Sequence, residues 1–431
     1  MSTRPDIAKA RCAKSCSETL GYPKATRQPP SVKEIETQMA QENRWRFLGW
    51  VCLAVVLSLS SWFSATAIAP EMSAALAFPQ GSSAWLTNGV QIGFVTGALL
   101  SSLVNLPDIV RMNRLAAASA ALAGLANAAL LLEPGFAGAI VCRFLTGFAL
   151  AGVYPPAMKL AATWFQQGRG LALGFVIAAL TAGSSLPHLF RGLTSGLNWQ
   201  LVVLFSSLSA CVATAIFLFR IEEGPYPFAR AIFDPRQIGQ IIRNRDLMLV
   251  NAGYLGHMWE LYALWAWLLA FLKAAPAGFS TGPAGAGSLA TFAALSVGVI
   301  GCIAGGLLSD RFGRARTTAG FMLASGACAL LVGFLFNGPF WLLMIVVLIW
   351  GITVIGDSAQ FSAAATEVSE RHLVGTALSF QMGIGFALTV VSIWLMPKLA
   401  SLLGSWQWCF AFLAPGPFLG AWAMLKIKPR G

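Results

Sequence analysis

The chain has very few charged residues for its length. Only 11% of its 431 residues are Asp, Glu, Lys or Arg, whereas 57% are hydrophobic, and the mean hydropathy is +0.69. A soluble domain carries about 25% charged residues, because its surface must face water. The polar residues of this chain are too few to cover one or two soluble cores. The composition therefore predicts a polytopic membrane protein.

The chain also lacks the motifs of several enzyme classes. It contains no G-x-x-x-x-G-K-[ST] phosphate loop, no H-E-x-x-H metal-peptidase motif and no polar stretch long enough for a nucleotide-binding domain. ATP hydrolysis is therefore not expected, no cofactor is expected, and the chain is predicted not to be an enzyme. An intramembrane enzyme that uses His257 and Glu260 as acid and base remains an alternative of another class.

Twelve apolar runs of helix length are present, and about 20 residues are enough for a helix to cross a bilayer. They lie near residues 47–69, 85–106, 114–132, 136–165, 170–189, 199–221, 247–272, 288–309, 317–336, 340–366, 374–396 and 406–425. The chain shows no ladder of 10-residue alternating segments, which is typical of an outer-membrane barrel. The predicted fold is an all-α membrane protein with twelve transmembrane helices.

The basic residues predict the orientation, because cytoplasmic segments of membrane proteins are enriched in Lys and Arg. Most of the 29 Lys and Arg lie before Phe47, in the even-numbered connections or after the last run. The odd-numbered connections hold few of them, among which are Arg191, Lys273 and Lys398. Both termini are therefore predicted to be cytoplasmic, in a bacterial-type inner membrane or a membrane derived from it. This bias accounts for the net charge of +12, so no nucleic-acid partner is expected.

The longest polar interruption, residues 222–246, divides the runs into six and six. The predicted domains are a cytoplasmic tail (1–46), a six-helix half (47–221), a cytoplasmic linker (222–246) and a second six-helix half (247–431). GLALGF at Gly170–Phe175 resembles GTALSF at Gly375–Phe380, and Gly147 matches Gly351 at nearly the same offset. The shared offset favours a duplication, and thus two six-helix pseudo-repeats.

Two motifs resemble those of a known family. GLLSDRFGRAR, from Gly306 to Arg316, matches the G-x-x-x-D-R-x-G-R-x-R loop of the major facilitator superfamily, and RFLTGFALAG, from Arg143, matches its R-x-x-x-G-x-x-x-x-G pattern. The chain resembles this superfamily over roughly residues 47–425, which implies a secondary transporter. After the second run, however, Asn105 stands near the expected Asp of the family's loop. The fifth run has only AGSSLP where many antiporters carry a Gly-Pro pattern, so antiport is not implied.

The loop after the eighth run is predicted to take part in gating. Its residues are Gly306, Asp310, Arg311, Gly313 and Arg314. Gly313 permits a tight turn, and the arginines stay near anionic headgroups. Asp310 is predicted to accept hydrogen bonds at the start of the eleventh helix, near Val374, in a contact that breaks when the two halves rock. The alternative is a topology anchor with no role in gating.

Ionisable residues within the membrane mark transport pathways, since a charge there costs about 2.5–3.5 kcal/mol on insertion scales. The predicted substrate and proton pathway comprises Arg143, His257, Glu260, Asp357 and Gln360. Glu260 is predicted to face a water-filled cavity and carry a proton, which His257 shares or relays. The alternatives are structural: Arg143 pairs with a backbone carbonyl, Asp357 caps a helix break after Gly356, and His257 and Glu260 bond each other.

The predicted function is secondary active transport of a small solute by alternating access, coupled to protons. In one form the solute is an anion with Arg143 as its counter-charge. The alternative is a permease for a metal cation such as iron, with His257, Glu260 and Asp357 as ligands; otherwise no metal is expected. The expected partners are the solute or ion and the lipid bilayer, and the chain is expected to act as a monomer.

Overall fold

The computed structural model describes residues 32–79, 81–104, 106–194, 198–226, 234–276, 285–370 and 372–427. Parts of the sequence predictions fall outside these ranges. They concern the tail up to residue 31, Asn105 and residues 227–233 of the linker.

The described residues form α-helices and short 3₁₀ turns, with no strand among them. The main helices are α1 (Val32–Leu59), α2 (Ser82–Leu103), α3 (Met112–Leu132), α4 (Gly135–Trp164), α5 (Arg169–Leu193), α6 (Trp199–Phe219), α7 (Arg245–Ala274), α8 (Ala286–Phe312), α9 (Arg314–Leu335), α10 (Phe340–Val368), α11 (Val374–Leu403) and α12 (Cys409–Leu425). Short helices at Ser64–Ala67, Ala69–Ala75, Leu106–Ile109 and Ile238–Arg243 lie in the connections. The prediction of an all-α membrane protein is confirmed.

Nine helices in the described part of the chain, α3 to α11, are long and apolar enough to cross a membrane. The other three are less apolar or shorter. Helix α1 begins with charged residues, α2 carries Asn88 and Gln91, and Cys409–Leu425 is a short helix. Crossings by α1, α2 and α12 therefore stay a prediction.

Glycines allow α2 to cross α4, and α8 to cross α10, at backbone contact. A Cβ on Gly147 of α4 would lie 2.0 Å from the carbonyl oxygen of Val90 in α2. A Cβ on Gly351 of α10 would lie 1.8 Å from the carbonyl oxygen of Ala294 in α8. Gly351 follows Gly147 along the chain by as many residues as Ala294 follows Val90. The two crossings thus occupy equivalent places, which supports the duplication.

Valine at Gly147 or Gly351 is expected to destabilise the protein, because the facing backbone carbonyl cannot move aside as a side chain can. Overpacking of this kind costs about 1–3 kcal/mol or more. Gly320→Val is the matched control, since no atom lies within 4 Å of a Cβ at that position. Thermal unfolding in detergent measures the effect. Equal melting temperatures for Gly147→Val and Gly320→Val would contradict the close crossing.

The first six helices meet the last six chiefly where α5 packs on α8 and α2 packs on α11. Helices α5 and α8 are closest at the predicted outer face, where a Cβ on Gly285 would lie 2.4 Å from the carbonyl oxygen of Gly192. Nearer the predicted cytoplasmic face, a Cβ on Gly174 would lie 3.6 Å from the carbonyl oxygen of Cys302, and nothing lies within 4 Å of one on Gly170. The two helices are therefore packed less tightly at Gly174 than at Gly192.

Thiol labelling tests the predicted orientation. Glu133, in the connection between α3 and α4, and Arg236, before α7, are both exposed. Cysteines introduced singly at these two positions, with the native cysteines replaced, are expected to react with an impermeant reagent from opposite sides of the membrane. Reaction of both from the same side would refute the predicted topology.

Candidate functional site

Three of the described membrane-length helices are interrupted near their middle. Helix α4 consists of Gly135–Leu150 and Tyr154–Trp164, α8 of Ala286–Ser296 and Gly298–Phe312, and α10 of Phe340–Gly356 and Ser358–Val368. Asp357 stands at the interruption of α10, but its side chain makes no capping hydrogen bond. The carboxylate is therefore not used to cap the following helix. Interrupted helices commonly supply substrate and ion sites in transporters.

The carboxylate of Asp357 pairs with His257 of α7. The His257 Nδ1 atom lies 2.8 Å from Asp357 Oδ1, and each residue is 2% exposed. The rings of Phe361 and Tyr254 lie 5.3 Å and 6.3 Å from the imidazole. His257 Nε2 is buried without a hydrogen-bond partner. The arrangement is a titratable pair enclosed by aromatic rings.

Glu260 has different partners from His257. Its Oε1 accepts a hydrogen bond of 2.7 Å from Trp350 Nε1, which also lies 3.1 Å from Ser325 Oγ. These residues belong to α7, α9 and α10, so Glu260 lies inside the packing of the last six helices. The described residues show no hydrogen bond between His257 and Glu260. In this conformation the hydrogen bond from the Trp350 indole offsets part of the free-energy cost of burying the carboxyl group.

Arg143 of α4 is fully buried and binds neutral oxygen atoms. Its acceptors are the carbonyl oxygens of Ser61, Trp62 and Leu86, Ser64 Oγ and Asn127 Oδ1. Because α1 ends at Leu59, the guanidinium lies just beyond the negative end of that helix dipole. The apolar run 47–69, predicted as one helix, is interrupted at this point. The contacts match the structural alternative for Arg143.

Gln360, on the second segment of α10, lies beside the loop from Gly306 to Arg316. This loop is predicted to take part in gating and is called the gating loop for that reason. Its Nε2 donates to the carbonyl oxygen of Gly305, 3.2 Å away, and its Oε1 accepts from Arg314 Nη1 at 3.0 Å. Arg314 Nε also lies 2.5 Å from Glu367 Oε1. The amide thus ties α10 to α8 and to the gating loop.

The gating loop itself turns at Gly313, whose φ of +82° favours glycine. Arg311, before the turn, has its guanidinium 5.3 Å from the ring of Phe312. Asp310 is exposed, and its carboxylate makes no hydrogen bond to another described residue. Helix α11 begins without a side-chain cap. The contact of Asp310 with the start of α11 therefore stays a prediction for another conformation.

An aromatic cluster joins the turn after α1 with α2, α7 and α11 at the centre. Trp62 and Phe386 each have a ring centroid 4.7 Å from that of Phe94, and the Tyr262 ring lies 5.2 Å from that of Phe386. Trp62 Nε1 and both amide atoms of Gln91, one turn before Phe94, are buried without hydrogen-bond partners. Buried polar groups are normally paired with protein, water or ligand. Sequence reasoning missed this cluster, although a glutamine within an apolar run is a signal for it.

A cavity of about 180 Å³ lies between α2, α4 and α11 on the predicted cytoplasmic side. Ser102 of α2 and Ser379 of α11 line it, with their hydroxyl oxygens 3.3 Å apart. Among the described residues that line the cavity, Lys159 of α4 carries the one charged side chain. The cavity therefore lies between first-half and second-half helices and has a lysine side chain in its wall.

The predicted alternative metal ligands are not assembled in this conformation. Within the described ranges, no group of three His, Cys, Asp or Glu residues is placed to hold a metal ion. His257 and Asp357 are neighbours, whereas Glu260 contacts Trp350.

A titratable pair at an interrupted helix, enclosed among membrane-length helices, is the arrangement of a membrane transporter. The family model of the Major Facilitator Superfamily matches residues 51–280, which is more than half of the chain. The chain therefore belongs to the Major Facilitator Superfamily.

Relatives and solved structures agree with this class. The 4-hydroxybenzoate transporter PcaK of Pseudomonas aeruginosa is 24% identical over 91% of this chain and 94% of its own length. The probable sulfoacetate transporter SauU of Cupriavidus necator is 27% identical over 45% of this chain and 49% of its own.

Two solved structures resemble the fold. The Escherichia coli fucose:proton symporter FucP has a TM-score of 0.61 at 12% identity, over 89% of this chain and 98% of its own. The nucleoside transporter NupG has a TM-score of 0.67 at 14% identity, over 89% of this chain and 100% of its own. At such identities these two likenesses concern the fold alone.

Proposed function

We propose that the chain transports a small organic anion together with a proton, by alternating access between the two faces of the membrane. The observation that carries this proposal is the buried pair of His257 and Asp357 at the interruption of α10. The proposed membrane is a bacterial-type inner membrane with both termini in the cytoplasm, and the chain acts as a monomer.

The proton part of the proposal rests on where Asp357 lies. A Cβ placed on Gly298 of α8 would lie 2.8 Å from Ile355, two residues before Asp357, and 3.0 Å from Thr181 of α5. The pair therefore lies close to the contact between the first six and the last six helices. A titratable group at that contact changes its access to water when the two groups of helices rock. Glu260, held by Trp350 within the last six helices, is less well placed for this role.

The anion part rests on charge and on the relatives. Arg143 is buried without a described carboxylate as its ion-pair partner, and Lys159 lines the cavity between α2, α4 and α11. An anionic solute is the kind that either side chain would bind once rocking of the helices releases it from its present contacts. PcaK and SauU are named as transporters of 4-hydroxybenzoate and sulfoacetate, which are organic anions. The aromatic cluster around Trp62 offers ring faces for an aromatic acid.

The alternating-access part rests on the unequal packing of α5 against α8. The two helices are in backbone contact at the predicted outer face and packed less tightly at Gly174. At the predicted cytoplasmic face Ser102 of α2 still lies 3.3 Å from Ser379 of α11. This packing is expected of a state between the outward-open and the inward-open conformations.

Uptake into proteoliposomes tests the proposal. With an acidic outside, accumulation of labelled 4-hydroxybenzoate or sulfoacetate is expected to exceed that of protein-free liposomes, and a protonophore should abolish it. Neutral fucose serves as the control solute. Uptake of ferrous ion without uptake of either anion would replace the proposal with the metal-permease alternative. Anion uptake that does not depend on the pH gradient would exclude proton coupling.

A further inference from the structure

An ion cluster joins the first six helices to the last six at the predicted outer face. Glu71, on the short helix Ala69–Ala75, forms an ion pair with Arg191 of α5. The same carboxylate oxygen lies 3.7 Å from Lys273 Nζ in the last turn of α7. Arg191 also donates to Ser288 Oγ near the start of α8. Glu71 and Arg191, in the first half of the chain, thus contact Lys273 and Ser288 in the second half.

The cluster coincides with the closest backbone approach of α5 to α8. Gly192, which follows Arg191, meets Gly285 there, and Arg191 is 4% exposed. Lys273 is 44% exposed, so its own ion pair is weak, because solvent screens exposed pairs. The buried guanidinium is therefore the main anchor of the cluster, and the ammonium group faces the water outside.

Two members of the cluster, the buried Arg191 and the partly buried Glu71, keep unused hydrogen-bonding atoms. Arg191 Nε and Glu71 Oε2 are buried without hydrogen-bond partners. A guanidinium binds a well-placed carboxylate through two parallel hydrogen bonds, and such paired bonds add both energy and geometric specificity. Glu71 uses one of its oxygens, so it fits this site less well than a freely moving anion could.

We propose that Arg191 and Lys273 form an outer site that recruits the carboxylate or sulfonate group of the substrate, and that Glu71 occupies this site while the outer face is closed. The inference rests on the proposed function, in which the substrate is an organic anion. When α5 and α8 separate, Ser288 of α8 moves away from Arg191, and an anion attracted by the exposed ammonium group of Lys273 competes with Glu71 for the guanidinium. Glu71 is then both a lock on the outer face and a competitor of the substrate.

Thiol accessibility tests the lock without any assumption about the solute. Thr291 is fully buried on α8, one turn beyond Ser288, and its hydroxyl bonds only within its own helix. A cysteine at Thr291, with the native cysteines replaced, reports opening of the outer face to an impermeant reagent. Glu71→Gln is expected to speed its labelling about tenfold, the effect of one charge-assisted hydrogen bond. Glu133→Gln, an exposed acid on the same predicted face, should leave the labelling rate unchanged.

Protection by a simple anion tests the recruitment site. In the Glu71→Gln background, benzoate is expected to slow labelling of the cysteine at Thr291, whereas the neutral and isosteric benzamide should not. Adding Lys273→Gln should abolish the protection. Adding Lys398→Gln should preserve it, because Lys398 lies on the same predicted face but stacks on Trp394, 3.7 Å from its ring centroid.

The two measurements separate this inference from the proposed function. Unchanged labelling in Glu71→Gln overturns the lock, and equal effects of benzoate and benzamide overturn the anion site. Faster labelling with protection by benzoate supports both, even if the proteoliposomes accumulate no organic anion. That last result would count against the proposed function alone.

Discussion

Replacing Asp357 by Asn is expected to reduce proton-driven accumulation of substrate to the level of protein-free liposomes. The amide keeps the size of the carboxyl group and can still contact His257 Nδ1, 2.8 Å away in the parent chain, but it cannot take up or release a proton. Exchange of labelled for unlabelled solute needs no net proton movement. Exchange should therefore persist in Asp357→Asn, which also shows that the variant is folded.

Glu260→Gln is the matched control for this substitution, since it removes a second buried carboxyl at similar depth. Its amide oxygen can still accept the hydrogen bond from Trp350 Nε1, so the packing of α7 on α10 is retained. We expect Glu260→Gln to keep proton-driven accumulation. The reverse result, with accumulation in Asp357→Asn and none in Glu260→Gln, would show that Glu260 is the proton carrier, as the sequence pattern alone predicts.

The sequence was sufficient to identify four ionisable side chains that are buried within the protein. Arg143, His257, Glu260 and Asp357 are all at most 2% exposed, as predicted from their positions within apolar runs. Run length and composition also predict the nine confirmed membrane-length helices. These properties depend on local composition, because any helix of about 20 apolar residues prefers the bilayer to water.

The sequence does not show which of these buried side chains contact each other. His257 and Glu260 are close along α7, which suggested a shared proton, yet His257 pairs with Asp357 and Glu260 with Trp350. A separation of three residues on a helix leaves two side chains about 60° apart around its axis, so neighbouring helices decide which partner each one meets. The rotation of α7 about its own axis depends on tertiary packing, and the sequence of α7 does not indicate it.

Residues in connections carry the weakest signal in the sequence. Arg191 and Lys273 act there only as markers of topology, and no pattern marks Glu71. Their cluster forms because the chain between α1 and α2 folds back over the ends of α5 and α7. The apolar run at residues 47–69 likewise gave no sign of its interruption after Leu59, because the cause is Arg143 on another helix.

Replacing Arg143 by Gln is expected to give the largest loss of stability among substitutions of single buried side chains discussed for this protein. The guanidinium binds the carbonyl oxygens of Ser61 and Trp62 just beyond the end of α1, and that of Leu86 in α2. A carbonyl left unpaired in a buried site costs about 1–3 kcal/mol. Loss of several such bonds at once should lower the free energy of unfolding by about 3–5 kcal/mol, the range for breaking a buried charged network.

Thermal unfolding in detergent, followed by the recovery of monodisperse protein, measures this effect. Arg143→Lys should be intermediate, because an ammonium group keeps the charge but cannot reach all the acceptors of a guanidinium. Arg311→Gln is the matched control, since Arg311 is exposed in the gating loop. If Arg143→Gln unfolds at the parent's temperature but no longer takes up organic anions, Arg143 serves as the counter-charge of the substrate. Its contacts with the end of α1 would then be incidental to stability.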